Sequence, residues 1–250
     1  MKVLRKYGRI TRKFHQYEIY NLLHALLFLP YYQYYGLTLQ LLYINKITND
    51  DDLTDFIFTD QNDGTYTTTN FIPVIDKSYT LKIEYAGETY IAHETMTSVV
   101  NISSVYQSVD KGMDTEALEV NIDFDDPEDK ENYYLFKIME QSELIPRLFH
   151  VKDEFANGNL LTATYEQEEI EHINQEKFKA GDVVDVEFYG ISKQYYNYIG
   201  LMIQQVETGG PFNTTPVSLR GNCMNISNPD SVVFGYFRMT EVVKFSYLFE

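Results

Sequence analysis

The chain has 250 residues and carries 20 Lys plus Arg against 37 Asp plus Glu, a formal net charge of −17. Hydrophobic residues make up 44% of the sequence, which is too much for a disordered acidic tail and enough for a sizeable core. The negative charge argues against nucleic-acid binding, because that binding depends on Lys and Arg neutralising phosphates. The single cysteine, Cys223, excludes an internal disulfide framework and a cysteine-rich zinc site.

The first 45 residues differ in charge from the rest. They hold six basic side chains and one acidic side chain, a sum of +5, which leaves −22 on residues 46–250. The basic start and the apolar run at 22–29 are typical of a secretory signal, but Pro30 ends the run and no small-residue cleavage site follows. We expect residues 1–45 to be either an atypical amphiphilic leader or the product of a misassigned start, or else a degenerate export signal. A membrane-spanning helix is the weakest of these alternatives.

The next segment predicts short antiparallel strands. Residues 56–58 and 65–69 flank an Asn-Asp-Gly turn at 62–64, a sequence suited to a tight hairpin. Apolar and polar residues alternate over 79–85, the period of a half-buried strand, and 88–93 returns as its partner after Ala-Gly. Turn signals at this spacing predict a small β-sandwich. The predicted bounds of this first domain are 46–105.

The remainder, 106–250, predicts a second β-rich domain with one helix. Its candidate strands are 117–124, 133–139, 148–151, 160–165, 184–188 and a last strand from 232 to about 247. Ser192 is a suitable N-cap for a helix over about 193–206. The apolar face of that helix comprises Tyr195, Ile199, Met202, Ile203 and Val206. Gly209-Gly210-Pro211 is a typical helix end.

An acidic run at 123–129 offers carboxylate oxygens, the ligands that Ca²⁺ prefers. It lacks the residue order and the distant glutamate of a calcium-binding loop, so we predict a solvated turn between domains. The five histidines form no zinc-binding pair, and no nucleophile motif surrounds Cys223. Phosphate-binding, dinucleotide-binding and serine-nucleophile motifs are also absent from the sequence. We therefore expect no catalytic residue, no metal site and no cofactor.

Two groups of tyrosines, at 133–134 and 195–198, are candidate binding residues. If exposed, they would form an aromatic platform for a sugar or a peptide; if buried, they would be ordinary packing of a strand and a helix, which is the commoner outcome. The candidate ligand-binding residues are Tyr195, Tyr196 and Tyr198. Carboxylate pairs for glycoside hydrolysis carry no information here, because 37 acids always provide some pair at a suitable separation.

Several stretches in a fixed order carry a family resemblance. They include Asp63-Gly64-Thr65-Tyr66, Asp126-Pro127, Asn132-Tyr133-Tyr134-Leu135, Asp153-Glu154-Phe155-Ala156-Asn157-Gly158, Gly221-Asn222, Asn228-Pro229 and Phe234-Gly235-Tyr236-Phe237. No single stretch is specific, but their order and spacing are. Over about residues 46–250 the chain resembles the domain-of-unknown-function family 4249, lipoproteins of Bacteroidota.

The resemblance implies a mainly β fold: an immunoglobulin-like or carboxypeptidase-regulatory-like sandwich, followed by a β-rich C-terminal domain with one packed helix. It also implies export and a lipid-anchored location at the outer membrane or cell surface, and a TonB-dependent outer-membrane receptor as partner. The family provides no established catalytic residues. The sequence departs from the family pattern at residues 1–45, where the lipid-accepting Cys of the family is missing.

These observations lead to one main functional hypothesis and two alternatives. The main hypothesis is a non-enzymatic, outer-membrane-associated accessory or ligand-binding protein that works with a TonB-dependent transporter. The first alternative is a surface adhesin or carbohydrate-binding module that uses exposed tyrosines. The second is a hydrolase with a carboxylate pair, which requires an acidic cleft with two carboxyl groups about 5–10 Å apart.

Overall fold

The structure of the chain is a computed structural model that describes residues 11–13, 43–61, 66–128, 130–140, 145–153, 158–167, 169, 175–207 and 218–250. Three sequence predictions lie outside these residues: the turn at 62–64, the helix end at 209–211 and most of the leader at 1–45. Within the described part of the chain, no helix combines the length and the apolar character needed to cross a membrane.

The described residues form fifteen strands and one helix. The first eight strands are β1 (Thr11–Lys13), β2 (Tyr43–Asn49), β3 (Asp55–Ile57), β4 (Thr59–Asp60), β5 (Tyr66–Thr67), β6 (Ser78–Tyr85), β7 (Glu88–Thr95) and β8 (Ile102–Ser108). The others are β9 (Glu119–Asp125), β10 (Tyr133–Glu140), β11 (Arg147–Lys152), β12 (Leu160–Glu166), β13 (Val183–Ile191), β14 (Cys223–Asn225) and β15 (Val242–Leu248). The helix, α1, spans Lys193–Glu207 and follows β13 directly.

The strands pair in antiparallel fashion in four sheets. Two sheets have five strands, in the orders β1-β15-β13-β10-β11 and β14-β7-β6-β2-β3, one has three, in the order β12-β9-β8, and β4 pairs with β5. The predicted fold class, mainly β with one packed helix, is confirmed. Part of the leader region, 11–13, is a strand that pairs with β15, which the sequence did not indicate.

The chain divides into two compact units. Unit 1 contains the described residues within 1–14, 99–196 and 241–250, and unit 2 contains those within 15–98 and 197–240. Both units are therefore discontinuous in sequence. The predicted domains, 46–105 and 106–250, are segments expected to fold independently, whereas the two units are defined by compactness alone. The domain bounds therefore stay a prediction.

The core of unit 1 is built from strands whose apolar side chains alternate as predicted. Val120, Ile122 and Phe124 on β9 are fully buried, because the pleat of the strand turns every second side chain to the same face. The Phe124 ring lies 5.0 Å from Phe188 on β13, and Phe136 on β10 lies 4.5 Å from Phe188, between ring centroids. This aromatic cluster joins residues from two sheets of unit 1 in a single core.

The core of unit 2 contains Leu81 and Ile83 of β6, together with Phe237 and Met239 from the C-terminal part of the chain. The predicted turn between β6 and β7 is confirmed. Ala86 and Gly87 both have positive φ, 52° and 80°, as a two-residue hairpin turn that matches the strand twist requires.

The segment 221–237 belongs to unit 2 because it is held by hydrogen bonds and close packing. β14 pairs with β7, so that Met224 lies opposite Ile91. The Asn222 side chain donates to the Phe237 carbonyl at 2.8 Å and accepts from the Phe237 N–H at 2.8 Å. Each of these contacts joins residues of unit 2, which gives the unit its discontinuous sequence.

The helix begins at the predicted residue. The Ser192 hydroxyl accepts a hydrogen bond from the Tyr195 N–H at 3.2 Å, which is the geometry of an N-cap. On the predicted apolar face, Tyr195 and Ile199 are buried and Met202 and Ile203 are half-buried. The side chain of Val206, also predicted for this face, lies outside the described part.

We predict that Gly221→Ala destabilises unit 2 strongly. A Cβ at this position would lie 1.6 Å from the Gly235 carbonyl oxygen, which is backbone and has no side-chain freedom to move away. We expect a loss of about 3 kcal/mol or more in the free energy of unfolding, measured by chemical denaturation. The matched control is Gly87→Ala, where a Cβ meets nothing within 4 Å and only the positive φ is unfavourable, a cost of about 1–2 kcal/mol. Equal losses in the two variants would contradict the steric argument.

Candidate functional site

The candidate site lies at one end of the five-stranded sheet of unit 1. The start of β10, the end of β11 and the end of β13 meet there, because Tyr133 is paired with both Lys152 and Ile191. Ser192 follows β13 immediately and starts α1, so the first turn of the helix begins at the same end of the sheet. Strand pairing and the N-cap together determine which side chains meet.

Three rings from three elements form what we call the aromatic patch: Tyr133 on β10, His150 on β11 and Tyr196 on α1. The Tyr133 and Tyr196 ring centroids are 5.0 Å apart, and the His150 ring meets Tyr196 edge-on at 4.6 Å. Tyr196 and His150 are half-buried, so part of each ring is accessible to solvent. The patch is a small aromatic surface supported from below by Tyr133.

An ion pair borders the aromatic patch. The Lys193 ammonium lies 3.0 Å from the Glu131 carboxylate and 5.7 Å from the centroid of the Tyr133 ring, within range of a cation–π interaction. Both charged side chains are well exposed, at 64% and 50% of their surface. The pair provides one hydrogen-bond donor group and one acceptor group next to the exposed rings.

The Tyr133 hydroxyl is a buried polar group at the base of the patch. The residue is 7% exposed, and its hydroxyl makes no regular hydrogen bond, although the neighbouring Glu131 carboxylate and Lys193 ammonium both interact with it. Burial raises the pKa of this hydroxyl. The group therefore stays protonated near neutral pH.

A buried carboxyl pair, Asp126 and Asp153, lies next to Tyr134, which the pleat of β10 turns away from Tyr133 to the opposite face. Asp126 is 6% exposed and Asp153 is 2% exposed. The Tyr134 hydroxyl donates to Asp126 at 2.5 Å, and the Gly158 N–H donates to the same side chain at 3.3 Å. Asp153 accepts from the N–H of Asn132 at 2.8 Å. The pair thus connects the loops on either side of β10 and β11.

The environment favours the protonated form of Asp153. Burial raises the pKa of Asp153, and the adjacent Asp126 carboxyl raises it further through its hydrogen bond and its charge. Burial and the hydrogen bond to Asp126 also raise the pKa of Tyr134. The predicted solvated turn is therefore wrong for Asp126, which is buried because it binds Tyr134 and Gly158, and right for Pro127 and Glu128, which are exposed.

Two further acids hold a loop. Glu119 on β9 and Glu166 on β12 are opposite each other in the sheet. Glu119 accepts from the N–H groups of Lys111, at 2.7 Å, and of Gly112, while Glu166 accepts from Met113 at 2.9 Å and Asp114 at 3.2 Å. Burial favours the neutral acid, but the hydrogen bonds that Glu119 accepts lower its pKa. Four successive N–H groups of the loop are thereby satisfied.

Glu187 on β13 lies between two lysines on neighbouring strands. Its carboxylate is 3.1 Å from the Lys137 ammonium and also contacts the Lys244 ammonium, and it accepts from the Tyr189 hydroxyl at 2.5 Å. Burial opposes ionisation, but Lys244, Tyr189 and Lys137 together lower the pKa of Glu187 to about 2. The interaction crosses three strands of one sheet and stabilises their pairing.

The structure separates the three tyrosines predicted to bind ligand. Tyr195 is buried, at 3% exposure; Tyr196 belongs to the aromatic patch; and Tyr198 packs against Tyr236 in unit 2, with 5.0 Å between ring centroids. Their role in binding stays a prediction. The structure places Tyr196, from the second tyrosine group of the sequence, in contact with Tyr133, from the first. It adds His150, which only the pairing of β11 with β10 could have revealed.

The remaining candidates have structural surroundings. Burial raises the pKa of the Cys223 thiol to about 12, so the thiol stays protonated near neutral pH and is a poor nucleophile. Among the described residues, no group of three or more His, Cys, Asp or Glu side chains is arranged to hold a metal ion. The Asp126–Asp153 pair is in direct contact and buried, unlike the separated carboxyl groups of a glycosidase.

The comparisons with known proteins give one match. A family model described as Domain of unknown function (DUF4249) matches residues 42–246, which is most of the chain. The resemblance read from the sequence motifs is therefore confirmed. Neither a curated protein nor a solved structure matches the chain.

We predict that Asp153→Asn raises stability at neutral pH. A carboxyl group whose pKa is raised on folding stabilises the fold only while protonated, and this contribution is lost as pH rises through the folded-state pKa. The isosteric amide cannot ionise, so variant and wild type should agree near pH 3 and diverge in favour of the variant toward pH 8. The measurement is the free energy of unfolding as a function of pH.

Two controls accompany Asp153→Asn. Asp153→Ala removes the acceptor for the Asn132 N–H and should cost about 1–3 kcal/mol. Asp230→Asn changes an exposed acid and should leave the pH profile unchanged. If Asp153→Asn were as destabilising as Asp153→Ala at pH 8, the ionised form of the pair would have to be the stabilising one, contrary to this argument.

We also predict that Glu187→Gln removes part of the acid sensitivity of unit 1. Because folding lowers the pKa of Glu187 from 4.5 to about 2, its contribution is complete above pH 4.5 and is lost between pH 4.5 and 2. The variant should be less stable than wild type at pH 7, by at most about 3 kcal/mol, and the two should converge near pH 2. Glu84→Gln, in the exposed pair with Lys82, should change stability by about 0.5 kcal/mol or less. A pH-independent difference for Glu187→Gln would refute the assignment.

Proposed function

Because this chain belongs to the DUF4249 family, we propose that it is a non-enzymatic binding or accessory protein of the outer membrane or cell surface, working with a TonB-dependent receptor. The observation that carries the binding role is the aromatic patch of Tyr133, His150 and Tyr196. It is the place in unit 1 where aromatic rings, an ion pair and a buried hydroxyl converge.

The non-enzymatic part of the proposal is supported by what the buried acids do. Glu119 and Glu166 accept hydrogen bonds from a loop backbone, Glu187 binds two lysines, and Asp126 and Asp153 connect loops around β10. A catalytic acid or base must reach a proton on the substrate. These carboxyl groups are instead engaged with the protein's own donors, which favours a scaffold that positions a binding surface.

The location and partner are supported by the family resemblance and by charge. Residues 46–250 sum to −22, a balance suited to an acidic soluble ectodomain and unfavourable for contact with anionic phosphates. The family resemblance implies a lipid on an N-terminal cysteine. Cys223 is not that residue, because it pairs within the sheet of unit 2.

A surface adhesin or carbohydrate-binding module is the second candidate function. The accessibility of Tyr196 favours it, since an aromatic side chain on a strand–helix scaffold is a frequent recognition element. The two candidates differ in the partner they require: a membrane receptor in the first and a glycan in the second.

We predict co-purification with a TonB-dependent receptor. The tagged full-length chain, expressed in its native host and extracted from outer membranes in mild detergent, should retain one such receptor at near-stoichiometric amount, identified by mass spectrometry. A tagged, unrelated outer-membrane lipoprotein from the same host is the control for non-specific recovery. Recovery of the chain only from the soluble fraction, without a receptor, would remove this proposal.

A further inference from the structure

We infer that the aromatic patch is a binding subsite for one ring of a neutral saccharide, held against Tyr196 and His150 and hydrogen-bonded by Glu131, Lys193 and the Tyr133 hydroxyl. The inference deepens the proposed binding function and rests on it. It assigns both a place and a ligand class: Tyr133, Tyr196 and His150 provide the surface, and the ligand is polyhydroxylated and uncharged.

The patch is preorganised. Tyr133 and His150 are on paired strands, and Tyr196 is in the first turn of a capped helix, so backbone hydrogen bonds fix the backbone positions that carry the three rings. Tyr133 packs beneath Tyr196 at 5.0 Å, which supports the exposed ring from behind. A ligand that binds here does not have to order a flexible loop, so less affinity is lost to conformational entropy.

The chemistry of the patch has two parts that match the two parts of a sugar. The C–H face of a pyranose is apolar and fits the accessible ring faces, while its hydroxyl groups both donate and accept hydrogen bonds. Glu131 can only accept and Lys193 can only donate, and they lie 3.0 Å apart at the edge of the rings. Neighbouring sugar hydroxyls can therefore use both charged groups at once.

The Tyr133 hydroxyl adds a buried polar group to the patch. It makes no regular hydrogen bond, and the Glu131 carboxylate and the Lys193 ammonium are the groups that act on it. A ligand oxygen that displaces the Lys193–Glu131 pair would meet this hydroxyl.

The negative charge of the chain favours binding of a neutral ligand over an anionic one. The chain carries −17 overall, and the carboxylate of Glu131 is part of the patch itself. A phosphate or an acidic polysaccharide would meet this negative field, whereas a neutral saccharide would not. A purely apolar ligand would in turn remove water from the ion pair without offering it a hydrogen bond.

The test is binding of the full-length protein to a printed array of neutral and acidic glycans, followed by calorimetric titration with the neutral oligosaccharide that binds best. Tyr196→Ala should weaken that binding about tenfold or more, because it removes the stacking ring. Tyr133→Phe should weaken binding about threefold to tenfold, the contribution of one hydrogen bond. The melting temperature of Tyr133→Phe should stay close to that of wild type, because the hydroxyl makes no regular hydrogen bond within the protein.

Matched controls are Tyr106→Ala and Tyr106→Phe. Tyr106 is a half-buried tyrosine of unit 1 outside the patch, whose hydroxyl contacts Lys111. Both control variants should bind the saccharide as wild type does. Binding that survives Tyr196→Ala and Tyr133→Phe unchanged overturns the inference, as does an array that retains acidic glycans alone or no glycan.

The receptor experiment separates failure of the subsite from failure of the proposed function. If the receptor co-purifies with wild type and with Tyr196→Ala but no neutral glycan binds, the saccharide subsite is wrong and the accessory role stands. If a neutral glycan binds through the patch and no receptor is recovered, the subsite stands and the function is that of a carbohydrate-binding surface protein.

Discussion

The pleat of β10 is the constraint on which the candidate site depends. Successive side chains of a strand point to opposite faces, so the adjacent residues Tyr133 and Tyr134 enter different environments. Tyr134 turns into the core of unit 1 and binds Asp126, while Tyr133 turns outward beneath Tyr196. A slip of one residue in the pairing of β10 would exchange the two, burying the binding surface and exposing the carboxyl pair's partner. The interactions that fix the register of β10 therefore also determine which of the two tyrosines belongs to the aromatic patch.

Several acidic side chains of the chain have structural roles in the sheets of unit 1. An acid side chain can be buried at acceptable cost only when donors surround it, and here the donors are backbone N–H groups, lysines and a tyrosine. Glu119 and Glu166 stabilise a loop, Glu187 connects three strands, and Asp153 holds the chain as it enters β10. Among the described residues, the acids thus include exposed ones, which keep the surface negative, and buried or half-buried ones, which accept hydrogen bonds from loop N–H groups, lysines and tyrosines.

Short sequence patterns correctly predicted the elements whose formation depends on residues close together in the sequence. Alternation over 79–85, the Ala86-Gly87 turn and the Ser192 N-cap are readable because each follows from the conformational preference of neighbouring residues. Long-range pairing is not readable in this way. The pairing of β14 with β7, and the burial of Asp126 by Tyr134 and Gly158, depend on residues that are distant in sequence. For the same reason Tyr133 and Tyr196 were both candidates from the sequence, while their contact with each other and with His150 required the fold.

The two faces of β10 would be expected to change at different rates if the proposed function holds. The motif stretches that indicated the family include Asp126, Asn132 and Asp153, which the structure brings together around the carboxyl pair. These groups hold loops in place and serve any ligand equally, so a family that shares the fold must retain them. Tyr196, His150 and Lys193 are accessible to solvent, so under the proposed function members with different ligands need differ only there. The residues that hold the loops and the residues proposed to contact the ligand therefore lie on opposite faces of the same sheet. A substitution that changes the ligand need not disturb the fold.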